Sequence, residues 1–163
     1  LLASAGIPGA FPPREVDGML FVDGGVTANI IYGGALREDD SFPAAWKRAA
    51  PGMPVPRVRY WVIINNQLCS PPHTVQPSWM PVISRSVEIA IRSSTVTSLR
   101  HLMALVELMR IRDGVDAEVR ILSIPDDWRA PKPGVFVKET MEDLAKLGER
   151  LGATPASWST ECP

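Results

Sequence analysis

The chain has 163 residues, 17 Lys and Arg against 18 Asp and Glu, a formal net charge of −1, and 45% apolar residues. That is apolar material enough for a packed domain, and a charged fraction of 21% excludes wholesale disorder. The near-neutral balance argues against a protein that grips nucleic acid or an anionic membrane through bulk charge.

The best candidate for a membrane span, 82–109, contains Arg85, Arg92, Arg100 and Glu107, so no transmembrane helix is expected. The apolar start, Leu1-Leu2-Ala3-Ser4-Ala5-Gly6, lacks a Met and a preceding positive region and is not a signal peptide as it stands. Cys69 and Cys162 lie far apart without CxxC spacing, which excludes a Cys-rich zinc site and leaves a disulfide open. Proline is abundant, at 16 residues, and marks loops.

In chain order, 3–9 predicts the end of a helix or a tight turn stopped by Pro8, and Phe11-Pro12-Pro13 must be extended. Asp17-Gly18 is the strongest hairpin signal; it leads into Met19-Leu20-Phe21-Val22, an apolar strand-type run that halts at Asp23-Gly24-Gly25. Residues 35–56 are polar and punctuated by Pro and Gly, with a short helix expected over 43–49 behind Ser41 as N-cap. Residues 58–65, nearly continuously apolar and rich in β-branched and aromatic side chains, predict a strand covered on both faces in a parallel sheet.

After a Pro-rich loop over 70–81, Ile83, Val87, Ala90, Ile91, Leu99, Leu102, Met103, Val106 and Met109 recur at helical spacing, up to Asp113-Gly114. Weak helix formers over 93–98 predict a kink or two abutting helices, with solvated hydroxyls. Residues 117–124 predict a strand stopped by Pro125. A last helix is expected over 138–151, with Met141, Leu144, Ala145, Leu147 and Leu151 inward and Gly152 at its C-terminal end. Strands alternating with helices predict an α/β layer fold, followed by an irregular tail over 153–163.

The sharpest chemical feature is Phe21-Val22-Asp23-Gly24-Gly25, an apolar strand ending in a carboxylate and two glycines. A strand fixes such a carboxylate while its oxygens face the crevice beyond the strand end, and glycine lets other groups approach closely. Ordinary Asp-Gly turn chemistry produces the same dipeptide.

The wider context narrows the choice. Ala3-Ser4-Ala5-Gly6-Ile7-Pro8-Gly9-Ala10-Phe11-Pro12-Pro13, followed by the Asp17-Gly18 hairpin, the strand into Asp23-Gly24-Gly25-Val26, and Asn29, resembles the segment around the catalytic aspartate of patatin-like phospholipases. The family pattern is an A-S-x-x-I-P-x-x-F-P-P run, a D-G hairpin, and a strand ending in D-G-G or D-G-A followed by asparagine. Where the family often has proline two residues after that asparagine, this chain has Ile31.

The resemblance implies a three-layer α/β/α domain with a mostly parallel central sheet, of which 1–152 would be the C-terminal portion in a bacterial member. It implies hydrolysis of lipid acyl esters, as by a phospholipase A, through an acyl-serine intermediate and a Ser-Asp dyad. Asp23 matches the dyad aspartate, Gly24 and Gly25 its supporting turn, and no metal or organic cofactor is involved. Without a histidine relay, the carboxylate itself must take the serine proton, within direct hydrogen-bond reach.

The chain contains neither the G-x-S-x-G elbow nor the glycine-rich oxyanion loop that such chemistry needs. Ser4, in Leu2-Ala3-Ser4-Ala5-Gly6, comes closest but reads as part of the helix-ending motif. In the family both elements precede the aspartate segment, so the nucleophile is expected in an absent N-terminal part of the same domain. The fragment alone should then expose sheet edge and apolar surface. The alternative is a non-catalytic pseudoenzyme or scaffolding module.

His73 and His101 carry little catalytic information as two unlinked histidines. Trp79-Met80, an apolar pair in the Pro-rich loop, reads either as contact with acyl chains or a membrane surface, or as packing back onto a core. Asp39-Asp40 and Asp126-Asp127 read as helix-start and turn residues. The expected partners are thus a lipid or other acyl ester and the rest of the domain, with no nucleic acid.

Overall fold

The computed structural model of the chain describes residues 2–8, 11–28, 30, 41–69, 72, 74–134 and 136–161. Asn29, Ile31, Asp39, Asp40, His73 and Cys162 lie outside the described residues. The fold is mixed α/β: β1 (Arg14–Val16), β2 (Met19–Phe21), α1 (Phe42–Ala49), β3 (Val58–Gln67), α2 (Trp79–Asp113), β4 (Ala117–Ile124) and α3 (Lys138–Ala153).

β1 and β2 form an antiparallel hairpin in which Val16 pairs with Met19. Asp17 and Gly18 turn it with φ of 51° and 77°, the left-handed pair a two-residue hairpin requires. α1 starts as its sequence demands: the Ser41 hydroxyl accepts from the Ala44 N–H at 3.4 Å, with Pro43 in the first turn.

β3 and β4 pair in parallel from Val58 opposite Ala117 to Ile63 opposite Leu122, with a register shift after Ile64. Side chains alternate between the two faces. Ala117, Val119 and Ile121 of β4, with Ile64 of β3, meet Leu99, Leu102, Val106 and Met109 of α2 in the buried core. Those four α2 positions recur at helical spacing, so a single apolar stripe covers one face of the pair.

On the opposite face, Leu144, Leu147 and Leu151 of α3 share a gap of about 160 Å³ with Ile63 and Leu122. Trp158 packs edge-on against Trp61 at 4.9 Å, and the Arg120 guanidinium lies over the Trp61 ring. Salt bridges link the strands around them: Arg59 reaches Asp116 and Glu118, and Arg57 reaches Asp116 at 2.6 Å. Hydrogen bonds from Arg59, then Arg57, hold the exposed Asp116 carboxyl below its ordinary range.

Several sequence expectations need correction. β3 is not covered on both faces: Ile63 is 72% and Trp61 57% exposed, because the described residues on that side cover the pair only in part. α2 runs as one uninterrupted helix of 35 residues, without a break at 93–98. Thr95, expected to be solvated, is 3% exposed, and its hydroxyl donates to the Ile91 carbonyl at 2.9 Å, so the helix absorbs its polar group.

Trp79 and Met80 are not in a loop but form the first turn of α2, and neither packs back onto the core. Met141 and Ala145 face outward, because α3 meets the sheet only along the Leu144–Leu147–Leu151 line. Gly152 lies within α3 rather than capping it. The tail carries a 3-10 turn at Pro155–Ser157, and Ser159 exchanges two backbone hydrogen bonds with Ile121 on the outer edge of β4.

α2 ends as expected at Gly114, in the left-handed conformation at φ 64°, where the Val115 N–H reaches back to the Met109 carbonyl at 3.1 Å. Nothing lies within 4 Å of a Cβ added there. Gly114→Ala should therefore cost about 1 kcal/mol through backbone strain alone. Thermal unfolding at neutral pH would measure it, and an unchanged midpoint would contradict the left-handed cap.

Candidate active site

The hairpin delivers the chain from β2 through Val22 to Asp23, where a second segment grips it. Ala3–Ala5 forms a 3-10 turn ending at Gly6, and the Gly6 carbonyl accepts the Asp23 N–H at 3.0 Å. A Cβ on Gly6 would lie 3.1 Å from the Ala3 carbonyl and 3.7 Å from the Val22 Cα. The Ala-Gly-Ile-Pro run thus positions the backbone that carries the carboxylate. Gly6→Ala is expected to crowd the Ala3 carbonyl, so that the Ala3–Ala5 turn must shift, while the 3.7 Å contact to Val22 is ordinary packing; the thermal midpoint should fall by several degrees, about 1 kcal/mol, readable by calorimetry.

Asp23 caps the 3-10 turn Gly24–Val26, its Oδ1 accepting the Gly25 N–H at 2.7 Å. Thr27 and Ala28 close the turn through backbone hydrogen bonds to the Gly24 carbonyl, each at 3.0 Å. This is the Asp-Gly turn chemistry anticipated from sequence, but it engages only one carboxylate oxygen. Among the described residues, Oδ2 accepts no hydrogen bond. Gly24 has no left-handed backbone, and a Cβ there would meet nothing within 4 Å, so the described structure does not itself require glycine at that point.

Asp23 opens into a cleft of about 360 Å³. Ile7 and Pro8 from the N-terminal segment, Ile30, Ile63 and Ile64 from β3, and Ile91 from α2 make its apolar walls. Its polar groups besides Asp23 are Asn65, Asn66 and Thr95. Asn66 Oδ1 accepts the Gln67 N–H at 2.8 Å, and Thr95 donates to Ile91. The cleft can accept an apolar chain along its walls with a polar, reacting end at Asp23.

No serine or cysteine is among the described residues lining this cleft. Ser4 is exposed in the Ala3–Ala5 turn and does not line it. His101 is exposed on α2, also outside the cleft, and His73 lies outside the described residues. Among the described residues, no three His, Cys, Asp or Glu side chains cluster so as to hold a metal ion.

A larger cavity of about 510 Å³ lies beyond the end of β4, away from Asp23. Among its polar groups, Asp126 Oδ1 accepts the Cys69 N–H at 3.1 Å, and the Ser159 hydroxyl donates to the Glu161 carbonyl and accepts the Glu161 N–H, each at 3.0 Å.

Sequence reasoning singled out Asp23 and its glycines but not Asn65, Asn66, Ile91 or Thr95. A signal existed for the first two: the apolar run of β3 gives way to two amides at its C-terminal end, where α/β sheets bind ligands.

The fold is mixed α/β, with a strand-end carboxylate beside an apolar cleft. A family model for patatin-like phospholipases matches residues 1–36, the segment that contains both the Gly6 turn and Asp23. That similarity points to lipid acyl hydrolases. No curated protein and no solved structure matches the chain.

Proposed function

We propose that this chain supplies the base of a Ser-Asp dyad in a lipid acyl hydrolase of phospholipase A type, Asp23 being that base. The serine and oxyanion hole come from polypeptide N-terminal to these residues, within the same domain. The observation that carries the reading is Asp23 itself. One oxygen is tied to the Gly25 N–H and the other is unengaged among the described residues, beside apolar walls.

The tie fixes the carboxylate's orientation, so Oδ2 can accept the serine proton as Oγ attacks the ester carbonyl carbon. Collapse of the tetrahedral adduct expels the alcohol, which takes that proton from Asp23 and leaves an acyl-serine. Water then attacks the acyl carbon, giving its proton to Asp23, and the carboxylic acid departs as the proton returns to the serine oxygen.

Exposed apolar surface is consistent with further polypeptide covering this part of the fold. Leu20 is 71%, Met19 59% and Ile63 72% exposed, on the hairpin and the sheet pair that flank the cleft. The test is hydrolysis of a chromogenic short-chain ester by purified protein of measured intact mass. Activity only in material heavier than these 163 residues supports the reading. Activity in material of this mass alone overturns the absent-serine part, and inactivity of the full-length polypeptide on every acyl ester favours the scaffolding alternative.

A further inference from the structure

We infer that the first turn of α2 is a membrane-surface anchor: Trp79, Met80 and Ile83 enter the interface of a zwitterionic phospholipid bilayer and hold the Asp23 cleft over it. Trp79 is 84% and Met80 71% exposed, and Val82 and Ile83 are about half exposed behind them. Trp79 and Ile83 lie one helical turn apart, so they share a face with the free end of the helix. A tryptophan with an apolar ring body and an N–H that seeks a carbonyl or water is the side chain favoured at membrane–water interfaces.

The charge pattern selects the kind of bilayer. None of the residues from Trp61 to Ser84 is Asp, Glu, Lys or Arg, in a chain where 21% are. The first cations along the helix, Arg85 and Arg92, both pair with Glu88 at 2.8 Å. Burial pushes the Glu88 carboxyl up, but its bonds to Arg85 and Arg92 more than offset this and hold it below its ordinary range. With no free cation on the first turns, attraction to anionic headgroups contributes little, and apolar burial drives the contact.

The tip approaches a surface rather than crossing it, since no helix among the described residues is long and apolar enough to span a membrane. Its distance from the chemistry suits that task. Ile91 and Thr95, which line the Asp23 cleft, lie on the same helix. At 1.5 Å per residue, Ile91 is at most about 18 Å from Trp79 along the axis, so a lipid need leave the bilayer only partway to bring its ester to Asp23. The choice of lipid as occupant rests on the function proposed above; the exposed, uncharged tip does not.

The test is flotation of the full-length polypeptide with phosphatidylcholine vesicles, comparing wild type with the double variant Trp79→Ser/Met80→Ser, whose folding is checked by circular dichroism. Wild type should float, at low and high salt alike, and the variant should partition at least about tenfold more weakly. Equal partitioning of the two, no flotation of wild type, or flotation only with phosphatidylglycerol vesicles that salt reverses would overturn the anchor. So would a wild-type dimer in sedimentation that the double variant dissociates, because the tip would then be covered by a second copy.

Failure of the anchor and failure of the proposed chemistry separate cleanly. The tip variant should retain hydrolysis of a soluble short-chain ester. Asp23→Asn should lose that hydrolysis and still float.

Discussion

Asp23→Asn in the full-length polypeptide is expected to lower ester hydrolysis by about 10³-fold or more while leaving the fold intact. The substitution keeps the shape and the carbonyl oxygen, so the amide can still accept the Gly25 N–H that orients this side chain at 2.7 Å. It removes the ability to take a proton, the one thing the proposed chemistry asks of the second oxygen. Asp23→Ala removes both and should add a stability cost of about 1 kcal/mol, since the turn Gly24–Val26 loses its cap. Steady-state kinetics on a short-chain ester, beside thermal unfolding of each variant, distinguishes the two contributions. Activity within threefold of wild type in Asp23→Asn would remove Asp23 from the reaction.

Leu99→Ala carries the largest expected effect on stability, a loss of about 3 kcal/mol or more. Leu99 is fully buried, flanked along the α2 stripe by Thr95 and Leu102, and shares the buried core with Val119 and Ile121 of β4. Truncation there leaves a cavity between two rigid elements that cannot both move in. The urea midpoint should fall with little change in slope, and a loss below about 1 kcal/mol would mean that α2 does not seal this face of the sheet. The same truncation at Leu20, 71% exposed, should cost little in these residues alone.

Local chemistry decided which parts of this fold were legible in the sequence. The hairpin turn at Asp17-Gly18, the Ser41 cap, the Gly114 stop and the 117–124 strand all follow from a residue's own backbone preference or hydrogen-bonding reach. They stand where expected. The errors fall where neighbours decide. Ser93 to Ser98 looked like an interruption because hydroxyls compete with the helix backbone. In the structure Thr95 returns its hydroxyl to the helix itself, and burial on the sheet carries the helix through.

Pro77 and Pro81, flanking Trp79 and Met80, point to a loop, yet proline is tolerated in a helix's first turn, where its missing N–H has no partner to lose. The double coverage of β3 read from Val62, Ile63 and Ile64 reflects composition that the described neighbours only half satisfy. For the site, the strand-end carboxylate was legible because strand, Asp and Gly are adjacent in sequence. The cleft was not, since Ile7, Asn65 and Ile91 converge on Asp23 only through the fold.

The central claim is that Asp23 activates a serine lying outside these residues. Covalent labelling of the full-length polypeptide with a fluorophosphonate, followed by peptide mapping, tests it most directly. The account predicts a single labelled serine within a G-x-S-x-G sequence N-terminal to Leu1, labelled far more slowly in Asp23→Asn. Label on Ser4 or any other serine of this chain, or labelling indifferent to Asp23, would contradict it.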